Sequence, residues 1–315
     1  MRIAVVGAGA IGGFVAATLA LAGNAVAAVA RGEHLRAIRR DGLRVTSEGG
    51  QFTARVAAAA DLRELGIFDL VLVAVKAHQL LEVVPQLIPS IEAGATIVPL
   101  QNGIPFWYFA DRTLQTVDPG GAIRAAIPRG QIVGAVIHTS GEILTPGTVR
   151  QSGGRNYILG DPDLGHSTRA ESTSALLRSA GMDAPVVADI RPAVWQKLLG
   201  NVSLNPVSAL THLTIKPMLE DPATRSLIAR LMEETVRVAA ATGVRLEVSV
   251  QERINFAARL ADVKTSMLQD LEAGRPLELE PIVGAVIETA ELFGVHVPAV
   301  RTIYTLTKSL RRSAT

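Results

Sequence analysis

Residues 2–13 read RIAVVGAGAIGG, and this stretch decides the fold. Arg2 to Val6 is a short apolar strand. The run GAGAIGG follows at once and sets Gly7, Gly9 and Gly12 at G-x-G-x-x-G spacing. In a dinucleotide-binding turn the first glycine permits the tight bend, the second lets the backbone approach a pyrophosphate, and the third lets the next helix pack close to the strand. A helix from about Ala10 to Ala22 then points its positive N-terminal end at the diphosphate, and Gly23 ends it as a C-cap. A glycine-rich structural turn is the alternative, and a lone motif of this kind is weak evidence. Here the turn lies between strand and helix and is followed by a second strand, NAVAAVA, at the proper distance, so the context carries the reading.

The end of that second strand bears on the cofactor. An NAD enzyme usually places Asp or Glu there to take the ribose hydroxyls, but this chain has Ala30 and then Arg31. No carboxylate is expected to be available to repel a phosphate, and Arg31 can pair with a 2′-phosphate, so NADP is expected over NAD. An exposed arginine that only solvates a loop is the alternative. Further on, DGLRVTSEGGQFTARVA reads as an inserted hairpin. FDLVLVAVK is a strand apolar on both faces, as in the middle of a parallel sheet covered by helices, and Lys76 stands at its end. ATIVPLQNG repeats the design with Gln101, Asn102 and Gly103. Ligands of open α/β sheets lie at the carboxyl ends of strands, so Lys76 and Asn102 are candidates for the cofactor or substrate rim. A lysine opening a surface helix and a plain NG turn are their alternatives.

Ile104 to Gly120 holds much of the small aromatic inventory and is expected either to cover a pocket or to form a hydrophobic buttress. The runs QIVGAVIHT, GTVRQS and NYILGD are expected to finish the sheet, partly antiparallel. A helix over Arg169 to Ser179 and the strand PVVAD close a first domain near Asp189. From Ile190 onward the pattern turns to long helical periods with almost no strand signal. The expected architecture is therefore α/β: a Rossmann-type dinucleotide-binding domain over residues 1–189, followed by an all-α domain over 190–315.

Totals narrow the chemistry. The 315 residues, 48% apolar and 19% charged, suit a well-packed protein of about two domains. A formal net charge of +2 and no basic run interleaved with aromatics argue against nucleic acid as a partner. With no cysteine, thiolate chemistry is excluded. The six histidines are scattered with no pair at ligand spacing, so no metal site is expected. The nearly uncharged run from Ile3 to Ala30 mimics a signal peptide or membrane span, but its glycines would interrupt a membrane helix, and a cytoplasmic location is expected.

Inside the helical region, WQKLLGNVSLNP runs from Trp195 to Pro206. Lys197, Asn201 and Asn205 fall at i, i+4 and i+8 on one face, while Trp195, Leu198, Leu199 and Val202 turn the other way. One ammonium and two short amides on one row suit a ligand better than water; a buried helix with internally satisfied polar groups is the alternative. Pro206 is expected to kink or end the helix. Later, Ser266 stands before Met267 and Leu268, and Glu278 and Glu280 follow a GRP break, where carboxylates could equally serve the helix dipole.

In order and at family-like spacing, the GAGAIG turn, Arg31, VAVKAHQ, QNG, WQKLLGNVSLNP and SMLQDLEAGRPLELE resemble the ketopantoate reductase (2-dehydropantoate 2-reductase) family. That resemblance implies a hydride passed from NADPH to the C2 ketone of 2-dehydropantoate, giving pantoate for pantothenate biosynthesis, in a cleft between the two domains. It implies Lys197 as general acid and Glu278 as a carboxylate that helps hold the substrate or product hydroxyl. Asn201, Asn205, Ser266 and Asn102 become substrate contacts. Gly7, Gly9, Ala10, Ile11, Gly12, Arg31, Lys76 and Asn102 fall to the cofactor. The chemistry agrees, since an ammonium stabilises a developing alkoxide and can supply its proton. Burial would lower the pKa of Lys197 and Glu278 would oppose that shift.

The chain departs from the family pattern in places. Ile215 and Val263 stand where many members carry polar residues, Leu277 replaces a common Thr, and Glu280 and Val283 replace the usual Asp and Asn. Two rival readings follow: reduction of a different 2-oxo acid, and a non-catalytic NADP-binding sensor that would need the glycine turn but not Lys197. A homodimer through the helical domain is a further expectation from composition and family analogy.

Overall fold

In the computed structural model of the chain, residues 1–259 and 262–310 are described. They form two compact units, one of residues 1–101, 109–111 and 121–190, the other of 102–108, 112–120 and the described residues from 191 on. Residues 102–108 and 112–120 thus group with the helical unit, so the two units are not contiguous in sequence. These segments lie in the first half of the sequence but pack with the helical unit, burying Ile104, Phe106, Trp107 and Tyr108. Among the described residues no helix is long and apolar enough to cross a membrane.

The first unit runs β1 (Ile3–Val6), α1 (Ala10–Leu21), β2 (Val26–Val29), α2 (Gly32–Asp41), β3 (Leu43–Ser47), β4 (Gly50–Ala54), β5 (Ala57–Ala59), β6 (Leu70–Val73), α3 (Leu80–Glu92), β7 (Thr96–Pro99), α4 (Ala122–Ala126), β8 (Gly134–Thr145), β9 (Thr148–Gly160), α5 (Thr168–Ser179) and β10 (Val186–Val187). Five strands form a sheet in the order β5-β2-β1-β6-β7, and every pair in it is parallel. The strands β1, β2, β6 and β7 are buried throughout, which is why they read as unbroken apolar runs instead of alternating ones. The chain winds outward from β1 to β2 and then returns to the other side at β6. That reversal is the topological switch point where such sheets bind ligands, and the glycine turn lies there.

The later strands do not finish this sheet. They make a second one, ordered β10-β9-β3-β4, with β8 pairing β9. Beyond β7 the first sheet continues only as a single bridge between Ile97 and Ile132. GTVRQS and NYILGD are one strand, β9, which pairs antiparallel with β8 through a bulged register and parallel with β3 of the hairpin. The hairpin thus gives β9 a neighbour, and β8 pairs with β9 through register shifts of the kind that bend and twist a strand.

The second unit is helical: α6 (Arg191–Thr211), α7 (Ile215–Glu220), α8 (Pro222–Ala241), α9 (Val250–Arg259), α10 (Ser266–Glu272), a π-helical turn over Glu280–Gly284, α11 (Ala285–Leu292) and α12 (Pro298–Leu310). At its centre α6 packs against α8, α10 and α12. The helix does not end at Pro206: α6 continues through it to Thr211. A proline inside a helix costs about 3 kcal/mol. Val202, Leu204 and Val207 around it are buried, and each contributes roughly 1.5–3 kcal/mol, so packing outweighs the lost backbone bond.

Candidate active site

In the first unit the glycine turn is shaped as its spacing requires. Gly7 has φ +96°, and a β-carbon there would lie 2.7 Å from the amide nitrogen of Val75. A β-carbon on Gly12 would lie 2.1 Å from the carbonyl oxygen of Gly7 and 2.8 Å from Cβ of Ala74, so the third glycine lets α1 close on the turn itself. Gly9 faces open space, with nothing within 4 Å of a built β-carbon. It caps α1 without any side-chain hydrogen bond, and no acidic residue stands in the first turn. Ala10 and Ile11 open that helix, partly exposed. A bare, accessible helix N-terminus with glycine at the point of approach fits an anion such as a diphosphate.

His34 braces this turn, and no local sequence pattern announced it. Its Nδ1 accepts from the amide of Gly147 at 3.0 Å, so the proton sits on Nε2, which donates to the carbonyl of Ala8 at 2.8 Å. Burial lowers the pKa of His34, with the bond to Ala8 acting the other way; the ring is held in its neutral form. Arg31 follows β2 and caps α2. Its guanidinium lies 3.9 Å from a Glu82 carboxylate oxygen, both side chains being 62% exposed. A carboxylate is therefore close after all, delivered by α3 and not by the strand end. Lys76 lies past the end of β6 and caps a single 3₁₀ turn. Gln101 ties the ends of β6 and β7 by donating to the carbonyls of Val73 and Val75 at 2.8 and 2.9 Å.

In the second unit the sequence row on α6 acquires partners. Lys197 Nζ donates to Asn102 Oδ1 at 2.7 Å, and Asn102 Nδ2 donates to Glu278 Oε2 at 3.3 Å. The amide of Asn102 therefore joins an ammonium to a carboxylate that is only 4% exposed. Desolvation pushes the pKa of Lys197 down to about 8, and the charge of Glu278 acts in the opposite direction. The stronger cause is burial, which settles the net direction.

Several contacts hold this trio. Trp195, fully buried, donates from Nε1 to the hydroxyl of Tyr108 at 2.6 Å and meets its ring edge-on, anchoring α6 two residues before Lys197. Gly103, at φ +94°, lies so close to Pro281 that a β-carbon would come within 2.1 Å of its carbonyl oxygen. The amide of Ile104 donates to that same oxygen at 2.9 Å.

Other expected site residues are placed less closely. Asn205 is 6% exposed, Asn201 is partly buried and Ser266 exposed, and none of the three side chains has a hydrogen-bond partner among the described residues. Ser266 opens α10, whose cap is Thr265, accepting from the amide of Leu268 at 3.2 Å. Ile215 and Val263 touch each other, the amide of Ile215 donating to the carbonyl of Val263 at 3.2 Å. Among the described residues no group of three or more His, Cys, Asp or Glu could hold a metal ion.

A parallel sheet with an open glycine turn at its switch point, in one chain with a helical unit carrying a lysine, an asparagine and a carboxylate in contact, defines an oxidoreductase that uses a nicotinamide dinucleotide. The comparisons narrow the class. Residues 3–163 match the family model described as ketopantoate reductase PanE/ApbA, and residues 189–311 match its C-terminal counterpart. A 2-dehydropantoate 2-reductase of Mesorhizobium japonicum is 40% identical over 98% of both chains. One from Halobacterium salinarum is 33% identical over 99% of both. A crystal structure of 2-dehydropantoate 2-reductase from Geobacter metallireducens GS-15 superimposes with a TM-score of 0.88 at 29% identity, covering 100% of both chains. The chain belongs to the ketopantoate reductase family.

Proposed function

We propose that this chain reduces 2-dehydropantoate to pantoate with NADPH, with Lys197 as the proton donor. The observation that carries the assignment of roles is the contact of Lys197 with Asn102 and, through it, Glu278. A bound reduced nicotinamide supplies the hydride. Charge then builds on the former carbonyl oxygen, and a partly desolvated ammonium stabilises that charge more strongly than one in water. With its pKa lowered to about 8, Lys197 is still protonated near neutral pH and yields its proton more readily than an ordinary lysine. Asn102 fixes the direction of the ammonium, and Glu278 keeps the lysine charged and accepts from a substrate or product hydroxyl. The carboxamide of Asn205, on a residue only 6% exposed, suits a substrate contact, and Asn201 and Ser266 are given the same role.

The cofactor is held by the turn from Gly7 through Gly9, Ala10 and Ile11 to Gly12, by Arg31 and by Lys76 and Asn102 at its rim. Arg31 favours NADPH. Its exposed pair with Glu82 is worth at most about 1 kcal/mol, less than the charge-assisted bonds a 2′-phosphate offers. The division of labour assigns the cofactor to residues 1–189 and the substrate chemistry chiefly to 190–315. A homodimer through the helical unit, which exposes Leu227, Leu292 and Leu306, and a cytoplasmic location belong to the same reading; sedimentation velocity checks the first and localisation of a tagged chain the second. The test of function is NADPH oxidation by the purified protein against 2-dehydropantoate and a panel of other 2-oxo acids. The highest kcat/KM is expected with 2-dehydropantoate, and a clearly higher value with another acid would overturn the substrate assignment.

A further inference from the structure

Helix α9 brings Arg253 against α6. The guanidinium occupies the space a side chain at position 200 would need: a β-carbon on Gly200 would lie 2.6 Å from Nη2 and 3.4 Å from Cζ of Arg253. Its Cζ lies 5.4 Å from the ring centroid of Phe256. Nε is fully buried with no hydrogen-bond partner. Among the described residues no carboxylate pairs with this guanidinium. Burial alone lowers its pKa, with no acidic neighbour to offset it. An arginine nevertheless keeps its charge; the residue is half-buried, and of its guanidinium nitrogens only Nε is sealed off without a partner, so the charge is partly desolvated while Nη1 and Nη2 stay accessible to an anion. Surface arginines elsewhere in the chain have acidic partners, such as Arg150 with Glu142 and Arg301 with Glu291. A half-buried guanidinium with no acidic partner among the described residues is suited to take an anion from outside the chain.

Its position says which anion. Gly200 stands one helical turn after Lys197, rotated from it by roughly 60° around α6, and directly before Asn201. Arg253 thus flanks the row of α6 to which the proposed function assigns the substrate. A 2-oxo acid carries a carboxylate bonded directly to the carbonyl carbon. Glu278 brings a negative charge to that neighbourhood, which disfavours a second one unless the second has its own cation. We propose that Arg253 anchors the carboxylate of the 2-oxo acid and makes the enzyme select acids over their uncharged counterparts. Gly200 is the residue that admits the guanidinium to this place.

This inference rests on the proposed function, and the experiment separates the two. Steady-state kinetics would compare the wild type with Arg253→Gln, Arg253→Lys and Gly200→Ala on 2-dehydropantoate and on its uncharged lactone, with thermal melts and dinucleotide affinity measured in parallel. Arg253→Gln should raise the KM for the acid about 10- to 100-fold, as expected for a lost charged hydrogen bond, with kcat within about threefold. Any turnover of the lactone and the dinucleotide Kd should be little changed, and Arg253→Lys should recover part of the loss. Gly200→Ala keeps the charge and favours the helix but pushes the guanidinium aside, so the KM should rise without a lower melting temperature. An unchanged KM for the acid in both Arg253→Gln and Gly200→Ala, or equal losses for acid and lactone, would overturn the carboxylate role alone. A wild type that reduces no 2-oxo acid would overturn the functional reading and this inference with it.

Discussion

The amide of Ile104 donates to the carbonyl of Pro281 at 2.9 Å, and that carbonyl is available because of the π turn. In a regular α-helix the amide of Ala285 would bond to Pro281; here it bonds to Glu280, one residue further back. The extra residue in the turn leaves Pro281 a free acceptor, and the segment carrying Asn102 takes it. A π turn beside a functional group is a recurring arrangement. Here it sets Asn102 against both Lys197 and Glu278. Gly103 is the weak point, since its φ of +94° and the 2.1 Å approach to Pro281 admit no β-carbon. Gly103→Ala should therefore destabilise the protein by about 2 kcal/mol or more and lower kcat at least tenfold. Urea denaturation and steady-state kinetics check the two halves.

The acidity of Lys197 predicts a pH profile. As general acid it must hold its proton before reduction, and its pKa is about 8. Reductive kcat should be flat below that value and fall above it, by about tenfold per pH unit. Oxidation of pantoate, which needs the neutral amine, should rise through the same window. Glu278 raises the pKa, so Glu278→Gln should move the falling limb of reduction to lower pH. A limb that stays in place would show that another group titrates.

Cofactor preference is expected to lie with Arg31 and, in the opposite sense, with Glu82. Arg31→Ala should weaken NADPH about tenfold or more while leaving NADH within about threefold. Glu82→Gln frees Arg31 from its exposed pair and should tighten NADPH modestly, by less than about fivefold. Fluorescence titration of both dinucleotides measures this, and equal losses of NADPH and NADH in Arg31→Ala would refute the phosphate contact.

Stability of the helical unit depends on a buried carboxylate with no part in the chemistry. Glu234, 2% exposed, accepts from the amides of Ala299 and Val300 at 3.1 and 2.9 Å and so caps α12. Glu234→Ala strands two amide donors, one buried and one partly buried, and should cost about 2–3 kcal/mol. Glu234→Gln retains an acceptor and should cost less. Denaturation midpoints of the two variants test the ranking.

The legible parts of this chain were those written in local patterns. The glycine turn and the row Lys197, Asn201, Asn205 follow from spacings within a few residues. The change from buried parallel strands to helices follows from hydrophobic period. What stayed hidden depends on residues brought together from far apart. Nothing near Arg31 announces Glu82, and nothing near the glycine turn announces His34. The second sheet needed β9 to find β3, a pairing no run of residues specifies. At Pro206 the helix runs on where the local rule allowed it to end, because burial around α6 outweighs the lost hydrogen bond. The segments 102–108 and 112–120 lie in the first half of the chain, yet they group with the helices, and Phe106, Trp107 and Tyr108 are buried there. Arg253 was illegible because its meaning depends on the glycine it covers.

The central claim is that Lys197 donates the proton, and single-turnover oxidation of bound NADPH by 2-dehydropantoate tests it most directly. Lys197→Ala should slow that step by about 10²- to 10⁴-fold, with the NADPH Kd within about threefold of wild type. A single-turnover rate in Lys197→Ala equal to that of the wild type would contradict the account.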